Sequence, residues 1–381
     1  MNGRLPGKVW FCTSVGGGIF GASQSAAWRA MGFDARLHHE VELADYWRFK
    51  SGLLASLRLR WAMYVGYPRR LRGAVLAARK EELFVATTNP FFLPALAARA
   101  ARRSGAKVVN LVYDLYPDAL VFGGGMSSGH PVARLAAAAT RSAIAGCDAT
   151  VYLGERLRRH AEERYGSAPR TAVIPVGTDV SPFKEFSPEP RERAAIRCLY
   201  SGHMGRLHDW RTLAGAVAGG VPVGIEIELA SDGPASRELC RALMPVAGRD
   251  PMRLTMSGTL GDGEWRKAMT LADVALVTMR PGAGKVVMPS KTFSAMAAGQ
   301  AVLAVCQRES DLADLVARHD CGWIVEPGDT AGLRALLAAL PRMRPEILRK
   351  RQNSWKAAHA HYSMEAVGVL WRDLFESLHE R

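Results

Sequence analysis

A chain of 381 residues is too long for one core, and its 48% hydrophobic and 23% charged content is that of a folded protein, not a disordered one. Six scattered cysteines, with no Cys-x-x-Cys pair and no His at ligand spacing, argue against a structural zinc and a disulfide framework and fit reduced thiols in a cytosol. No apolar run reaches the roughly 18 residues a membrane-spanning helix needs, and "MNGRLPGKVWFCTS" has no apolar stretch before a cleavage site, so the expectation is a soluble or peripheral protein.

In chain order, "KVWFCTSV" (8–15) is a short apolar run followed by three glycines and "FGASQSAAWRAMGFDARLHH". That order reads as strand, glycine turn and helix, the opening of a doubly wound α/β unit. "ELFVATTNP" (82–90) and "AKVVNLVYDLYPD" (106–118) repeat it around an Ala-rich helix at 94–103. "DATVYLG" (148–154) and "TAVIPVG" (171–177) read as further strands, and the Pro-rich, charged "VSPFKEFSPEPRER" (180–193) as a linker. Alternation then restarts with strands at 196–202, 223–233, 252–258, 272–279 and 301–306 and helices at 210–218, 235–244, 263–271 and 291–298. Residues 346–379 read as helical. The expectation is two Rossmann-like α/β domains in tandem.

The net charge of +14 is uneven. Between Trp47 and Lys80 stand nine Lys/Arg and no Asp or Glu, interleaved with aromatics and leucines. Leu53, Leu57 and Trp61 recur at helical spacing with Leu54 beside them. Arg58, Arg60, Trp61, Arg69 and Arg70 are therefore candidates for contact with an anionic membrane surface or an acceptor. A basic helix packed on its own domain is the plainer alternative. Nucleic acid is not expected, because no nucleic-acid motif accompanies the charge.

Ligands of open α/β sheets bind beyond the carboxyl ends of the strands, so the loops there are weighed first. Gly16, Gly17 and Gly18 follow the first strand; "GGGIFG" fits a dinucleotide fingerprint by letter, but no acidic residue closes a strand about 20 residues on. In "YSGHMGRLHDW" (200–210), Gly202 and Gly205 free the backbone, while His203, Arg206 and His208 offer donors to a diphosphate. In "MPSKTF" (288–293), Pro289 fixes a turn, Ser290 is placed to cap the next helix, and Lys285 and Lys291 add charge. Asp114 and Asp118 end a first-domain strand and are candidates to orient or deprotonate an acceptor hydroxyl. A turn cap and an Arg partner are their structural alternatives. His38, His39 and His130 read as structural or solvated.

The order of these motifs resembles the GT-B glycosyltransferases, close to family 4 and to members that build bacterial surface polysaccharides. "VYDLYPDAL" (112–120) is similar to the family's Asp-Leu-Trp/Tyr-Pro-Glu/Asp stretch, and "VIPVGTDVSPF" (173–183) to its Ile-Pro-Asn-Gly-Val-Asp segment. "YSGHMG", "SDGP" (231–234), "PSKTFSAMAAGQAVLAV", "GWIVEPGD" (322–329) and "HYSMEAV" (361–367) resemble five further family segments in the family's order.

The resemblance implies two domains facing across a cleft: acceptor binding by 1–180, nucleotide-sugar binding by 181–355, and a final helix, 356–381, crossing back onto the first. It implies transfer of a hexosyl-type unit from a nucleotide diphosphate sugar, a UDP-sugar first and a GDP-sugar next, with no cofactor and no metal. Retention of configuration and a lipid-linked or other glycan acceptor at the inner face of a bacterial inner membrane follow in the same way. Arg206 and Lys291 would neutralise the departing diphosphate. Gly17, Gly18, Gly202, His203, Gly205, Pro289, Ser290, Thr292 and Ser294 would hold the donor.

One departure stands out. Many members carry two Glu residues with seven residues between them; Val286 and Ser294 occupy those places here. Sugar hydroxyls would then be held by backbone amides around 283–288. An epimerase-like activity, or an inactive nucleotide-binding member of the same fold, is the alternative.

Overall fold

The computed structural model describes residues 7–16, 22–49, 53–185, 188–189 and 194–379. The chain forms two compact units: Met1–Val121 with Met126–Val176 and Met364–Arg381, and Phe122–Gly125 with Gly177–Ser363.

In the first unit the strands are β1 (Lys8–Cys12), β2 (Val15–Gly16), β3 (Ala35–His38), β4 (Val41–Glu42), β5 (Glu82–Thr87), β6 (Lys107–Val112), β7 (Ala149–Tyr152) and β8 (Thr171–Val173). Six of them form a parallel sheet in the order β3-β1-β5-β6-β7-β8, while β2 and β4 pair separately. β5 and β6 are buried at every position but the first. Their near-continuous apolar runs are what a parallel sheet covered on both faces requires. The helix Leu93–Ser104 returns the chain between them and ends at Gly105, whose φ of +78° supplies the left-handed cap.

The second unit contains β9 (Ile196–Ser201), β10 (Ile225–Ala230), β11 (Leu254–Met256), β12 (Val274–Thr278), β13 (Ala301–Val305) and β14 (Gly322–Val325). They are parallel, in the order β11-β10-β9-β12-β13-β14. The order reverses between β9 and β12, so their carboxyl ends open the crevice where doubly wound sheets bind ligands. Its core gathers Ile196, Tyr200, Leu213, Ile227, Leu276 and Leu303.

The C-terminal stretch is two helices, Arg344–His361 and Met364–His379, broken at Tyr362 and Ser363. The second belongs to the first unit from Met364, eight residues later than the sequence suggested. Its anchor is aromatic: Trp28 lies 5.1 Å from Trp371 and 5.2 Å from Phe375 between ring centroids, all three buried. All six cysteines are free, and burial pushes the thiols of Cys306 and Cys321 up to about 11.

Candidate active site

β9 delivers the first half of the site. Beyond Ser201 the chain turns at Gly202, whose φ of +95° suits glycine alone. The Gly202 amide donates to Ala230 O at 2.9 Å and the Met204 amide to Asp232 O at 2.8 Å, stitching this loop to the turn at 231–234. That turn needs Gly233: a Cβ there would stand 2.6 Å from Met204 O and 2.7 Å from the His203 ring. His203 Nδ1 lies 2.8 Å from Asp232 Oδ1, and the Gly205 Cα faces the same imidazole.

Lys291 supplies the second half, at the start of the helix Lys291–Ala297. Its ammonium donates to the Tyr200 hydroxyl at 2.6 Å and to the His203 carbonyl at 2.9 Å, and sits 4.1 Å from the Tyr200 ring centroid. Burial pushes the Lys291 pKa down to about 7, against the pull of Asp232. His208 Nδ1 donates to Thr278 O at 2.7 Å and lies 3.1 Å from the Tyr200 hydroxyl. Burial, then the Lys291 charge, holds His208 well below the ordinary range, so its ring is neutral. Arg206 is exposed, and among the described residues its guanidinium has no partner. Arg280 Nη1 reaches both Arg206 O and Gly123 O at 3.4 Å, which pins the base of the loop. The arrangement is a half-charged lysine and a free guanidinium at a switch point, suited to an oxyanion.

One expectation for this loop is corrected and one is narrowed. Ser290 occupies the N-cap position but has helical dihedrals, and its hydroxyl caps nothing. Of the amides around 283–288 expected to hold sugar hydroxyls, those of Ala283, Lys285, Val286 and Val287 are spent on carbonyls inside the turn 280–287 and are not free for them. Pro289 is buried, as is Thr292, whose Oγ1 finds no hydrogen-bond partner among the described residues. Gly17 and Gly18 lie outside the described residues.

In the first unit, Asp114 is half-buried beyond β6, and its amide donates to Thr88 Oγ1 at 3.4 Å. Burial raises its pKa to about 6. Asp118 does not share its role. It is 2% exposed, with Tyr165 Oη at 2.9 Å, His160 Nε2 at 3.2 Å and Arg164 Nε at 3.2 Å on its two oxygens. An acid this buried and held by three side chains of one helix ties helices together, which favours the structural alternative for Asp118 over a catalytic one.

A family model described as "Glycosyl transferase 4-like domain" matches residues 17–177. A Pseudomonas aeruginosa protein named "Probable glycosyltransferase WbjE" is 26% identical over 271 residues, which is 68% of this chain and 66% of that relative. The chain thus spans just under two thirds of that relative's length. Among solved structures, Anabaena HepE in complex with UDP and glucose superposes with a TM-score of 0.73 at 14% identity, over 98% of this chain and 100% of that one. Sucrose-phosphate synthase from Thermosynechococcus elongatus gives 0.65 at 16% identity, over 98% and 99%. Residues 17–177 thus match a glycosyl transferase 4-like domain, and the chain as a whole shares the fold of these solved structures.

The places of the two glutamates that many family 4 members carry are occupied otherwise here. Val286 is fully buried. Ser294 is half-buried, and its hydroxyl accepts from Thr178 Oγ1 at 3.5 Å, beside the point where the Thr178 amide donates to Tyr362 O. Among the described residues no three His, Cys, Asp or Glu gather as a metal cage. His39 pairs with Glu42, His38 accepts from the Tyr67 hydroxyl through its carbonyl, and His130 caps a helix by accepting the Val132 amide; all three are structural.

The basic segment is the helix Leu53–Trp61, running through a π turn (Ala62–Gly66) into the helix Tyr67–Leu76. Leu59 and Met63 pack inward, while Leu57, Trp61 and Tyr64 are 55%, 60% and 47% exposed. Spaced by four and three residues, these three share one outward face. Arg58, Arg60 and Arg69 are exposed near it, but Arg70 is tied to Glu40 at 2.5 Å and to His39 O at 2.9 Å.

The sequence missed Tyr200 and Asp232. Both lie in quoted motifs, but nothing local signals that Tyr200 would meet a lysine 91 positions away.

Proposed function

We propose that this chain is a GT-B glycosyltransferase of the family 4 type, and that it moves a hexosyl unit from a UDP-sugar, with a GDP-sugar as the next choice, to a lipid-linked glycan in bacterial surface polysaccharide synthesis. The observation that carries the donor half is Lys291, held on Tyr200 and His203 O beside the unpartnered Arg206. Two cationic donors there neutralise charge as a diphosphate departs, so the reaction needs no metal. HepE, whose fold this chain shares, was crystallised with UDP, with UDP and glucose, and with UDP-glucose, which favours uridine as the base. Configuration is retained, as the family resemblance implies. Asp114 receives the acceptor proton, since a carboxylate raised to about 6 by burial is a better base than an ordinary one and still ionised at pH 7.

The acceptor half rests on the exposed Leu57, Trp61 and Tyr64 flanked by Arg58 and Arg60. Such a face seats itself among headgroups, with arginines on anionic lipid, and brings the enzyme to the inner face of the inner membrane. Among the described residues no helix is long and apolar enough to cross a membrane. One observation favours a second reading, an inactive nucleotide-binding member: an apolar, buried Val286 stands where a glutamate would reach the sugar.

The test is release of UDP from UDP-glucose and other UDP-hexoses, with and without a polyprenyl diphosphate glycan in anionic vesicles. Acceptor-dependent UDP release supports transfer. UDP binding with no release in any combination supports the inactive reading, and sugar inversion without acceptor supports an epimerase.

A further inference from the structure

The first unit holds a cavity of about 470 Å³ that the donor and acceptor assignments do not use. Its walls come from the helices Asp118–Phe122, Pro131–Gly146 and Glu155–Tyr165. Three guanidinium groups line it: Arg134, Arg141 and Arg164. Arg134 and Arg141 stand two helical turns apart on one face, about 10 Å along the axis. The small Ala133 and Ala137 beside them on the same helix line the space as well. Both arginines are exposed, and neither has a side-chain partner among the described residues.

Arg164 is oriented differently. Its Nε lies 3.2 Å from Asp118 Oδ1 and donates to Tyr165 Oη at 3.1 Å, while Tyr165 Oη donates to Asp118 Oδ2 at 2.9 Å. Asp118 is buried and bonded to both side chains, so it fixes Arg164 and Tyr165 at the cavity wall. Three arginines against one carboxylate leave an excess of positive charge around an open space. Solvent screens most of the repulsion between these exposed groups, and an anion bound among them would be favoured. The planar forks of Arg134 and Arg141 suit a tetrahedral oxyanion approached from two sides. The volume exceeds what inorganic phosphate fills and is in the range of small-ligand sites.

We propose that this cavity is a binding site for a phosphate monoester, held by Arg134 and Arg141 with Arg164 at the wall and with room for the organic group it carries. The proposal does not depend on the donor reading, because Lys291 and Arg206 belong to the other compact unit. The phosphate can arrive on a soluble sugar phosphate or on a lipid headgroup, and the test separates the two.

Glucose 1-phosphate binding to the full chain is measured by calorimetry. In parallel, co-sedimentation is measured with phosphatidylcholine vesicles containing or lacking phosphatidic acid. Each is repeated with R134A/R141A and with Lys291→Ala. Both arginines are exposed on a helix, so their replacement leaves the fold intact, and circular dichroism confirms it. The site predicts that at least one probe binds saturably and loses roughly tenfold or more in affinity in R134A/R141A, while Lys291→Ala binds as the parent does. Loss confined to glucose 1-phosphate identifies a soluble ligand; loss confined to phosphatidic acid identifies a headgroup. Equal binding by R134A/R141A and the parent, loss only in Lys291→Ala, or no saturable binding of either probe overturns the proposal.

Discussion

Donor binding should be coupled to proton uptake at Lys291. In the free protein burial holds this ammonium at about 7, so near neutral pH roughly half of the molecules carry a neutral amine. A sugar-nucleotide diphosphate carries two negative charges and, being a diester, no titrating oxygen in this range. Bound beside Lys291, it favours the charged amine and returns its pKa toward the ordinary value of 10.5. The bound state then holds more protons than the free state, so affinity falls as pH rises above 7. Linkage gives a loss of about fivefold between pH 7 and 8 and nearly tenfold from 8 to 9, the latter about 1.3 kcal/mol. His208 does not confuse the measurement, because it is neutral throughout. Titration calorimetry with UDP-glucose in buffers of low and high ionisation enthalpy should show uptake of about half a proton at pH 7, rising toward one at pH 8 to 9. Lys291→Met should bind about 10- to 100-fold more weakly at pH 7 and lose the pH dependence. An affinity that is flat from pH 7 to 9, with no buffer dependence of the enthalpy, would refute the reasoning.

Three further outcomes follow from the same geometry. Arg206→Ala should lower kcat/KM for the donor about 10- to 100-fold and leave the melting temperature unchanged, since the side chain is exposed and unpartnered; a drop in melting temperature with normal kinetics would contradict it. The two first-unit aspartates should part company. Asp114→Asn should abolish most turnover, and the parent's activity should rise with pH through about 6 as Asp114 ionises, whereas Asp118→Asn should cost about 3 kcal/mol in denaturant unfolding by leaving Arg164 and His160 without their carboxylate. Trp61→Ala combined with Leu57→Ala should weaken partition onto anionic vesicles about tenfold or more without affecting UDP binding, as measured by co-sedimentation and calorimetry.

Much of the architecture was legible because parallel strands buried on both faces announce themselves as short apolar runs, as in β5, β6, β12 and β13. Gly202 was legible because it follows a strand directly, and Lys291 because it opens the helix after a proline turn. Strand order was not, since pairing β9 with both β10 and β12 is a long-range choice. Nor was the fate of Asp118, whose partners His160 and Arg164 come from a helix more than 40 positions away. The helix 53–61 shows a subtler limit. Its leucine spacing suggested one apolar face, but tertiary packing took Leu59 and left Leu57 and Trp61 outside, a choice that periodicity alone does not contain. The break at Tyr362 and Ser363 falls in the stretch 361–367 that resembles the family's closing turn, but composition alone read 346–379 as helical throughout and held no sign that the Thr178 amide would take the Tyr362 carbonyl.

The central claim is that the Lys291 loop of the second unit holds a uridine diphosphate group. Thermal unfolding with UDP, GDP, dTDP, ADP and CDP, on the parent and on Lys291→Ala, tests it most directly. A ligand at about 100 times its dissociation constant adds roughly 2.7 kcal/mol to stability, a readily measured shift. The account predicts that UDP gives the largest shift and that Lys291→Ala removes most of it. No shift with any nucleotide, or a UDP shift that Lys291→Ala leaves whole, would contradict it.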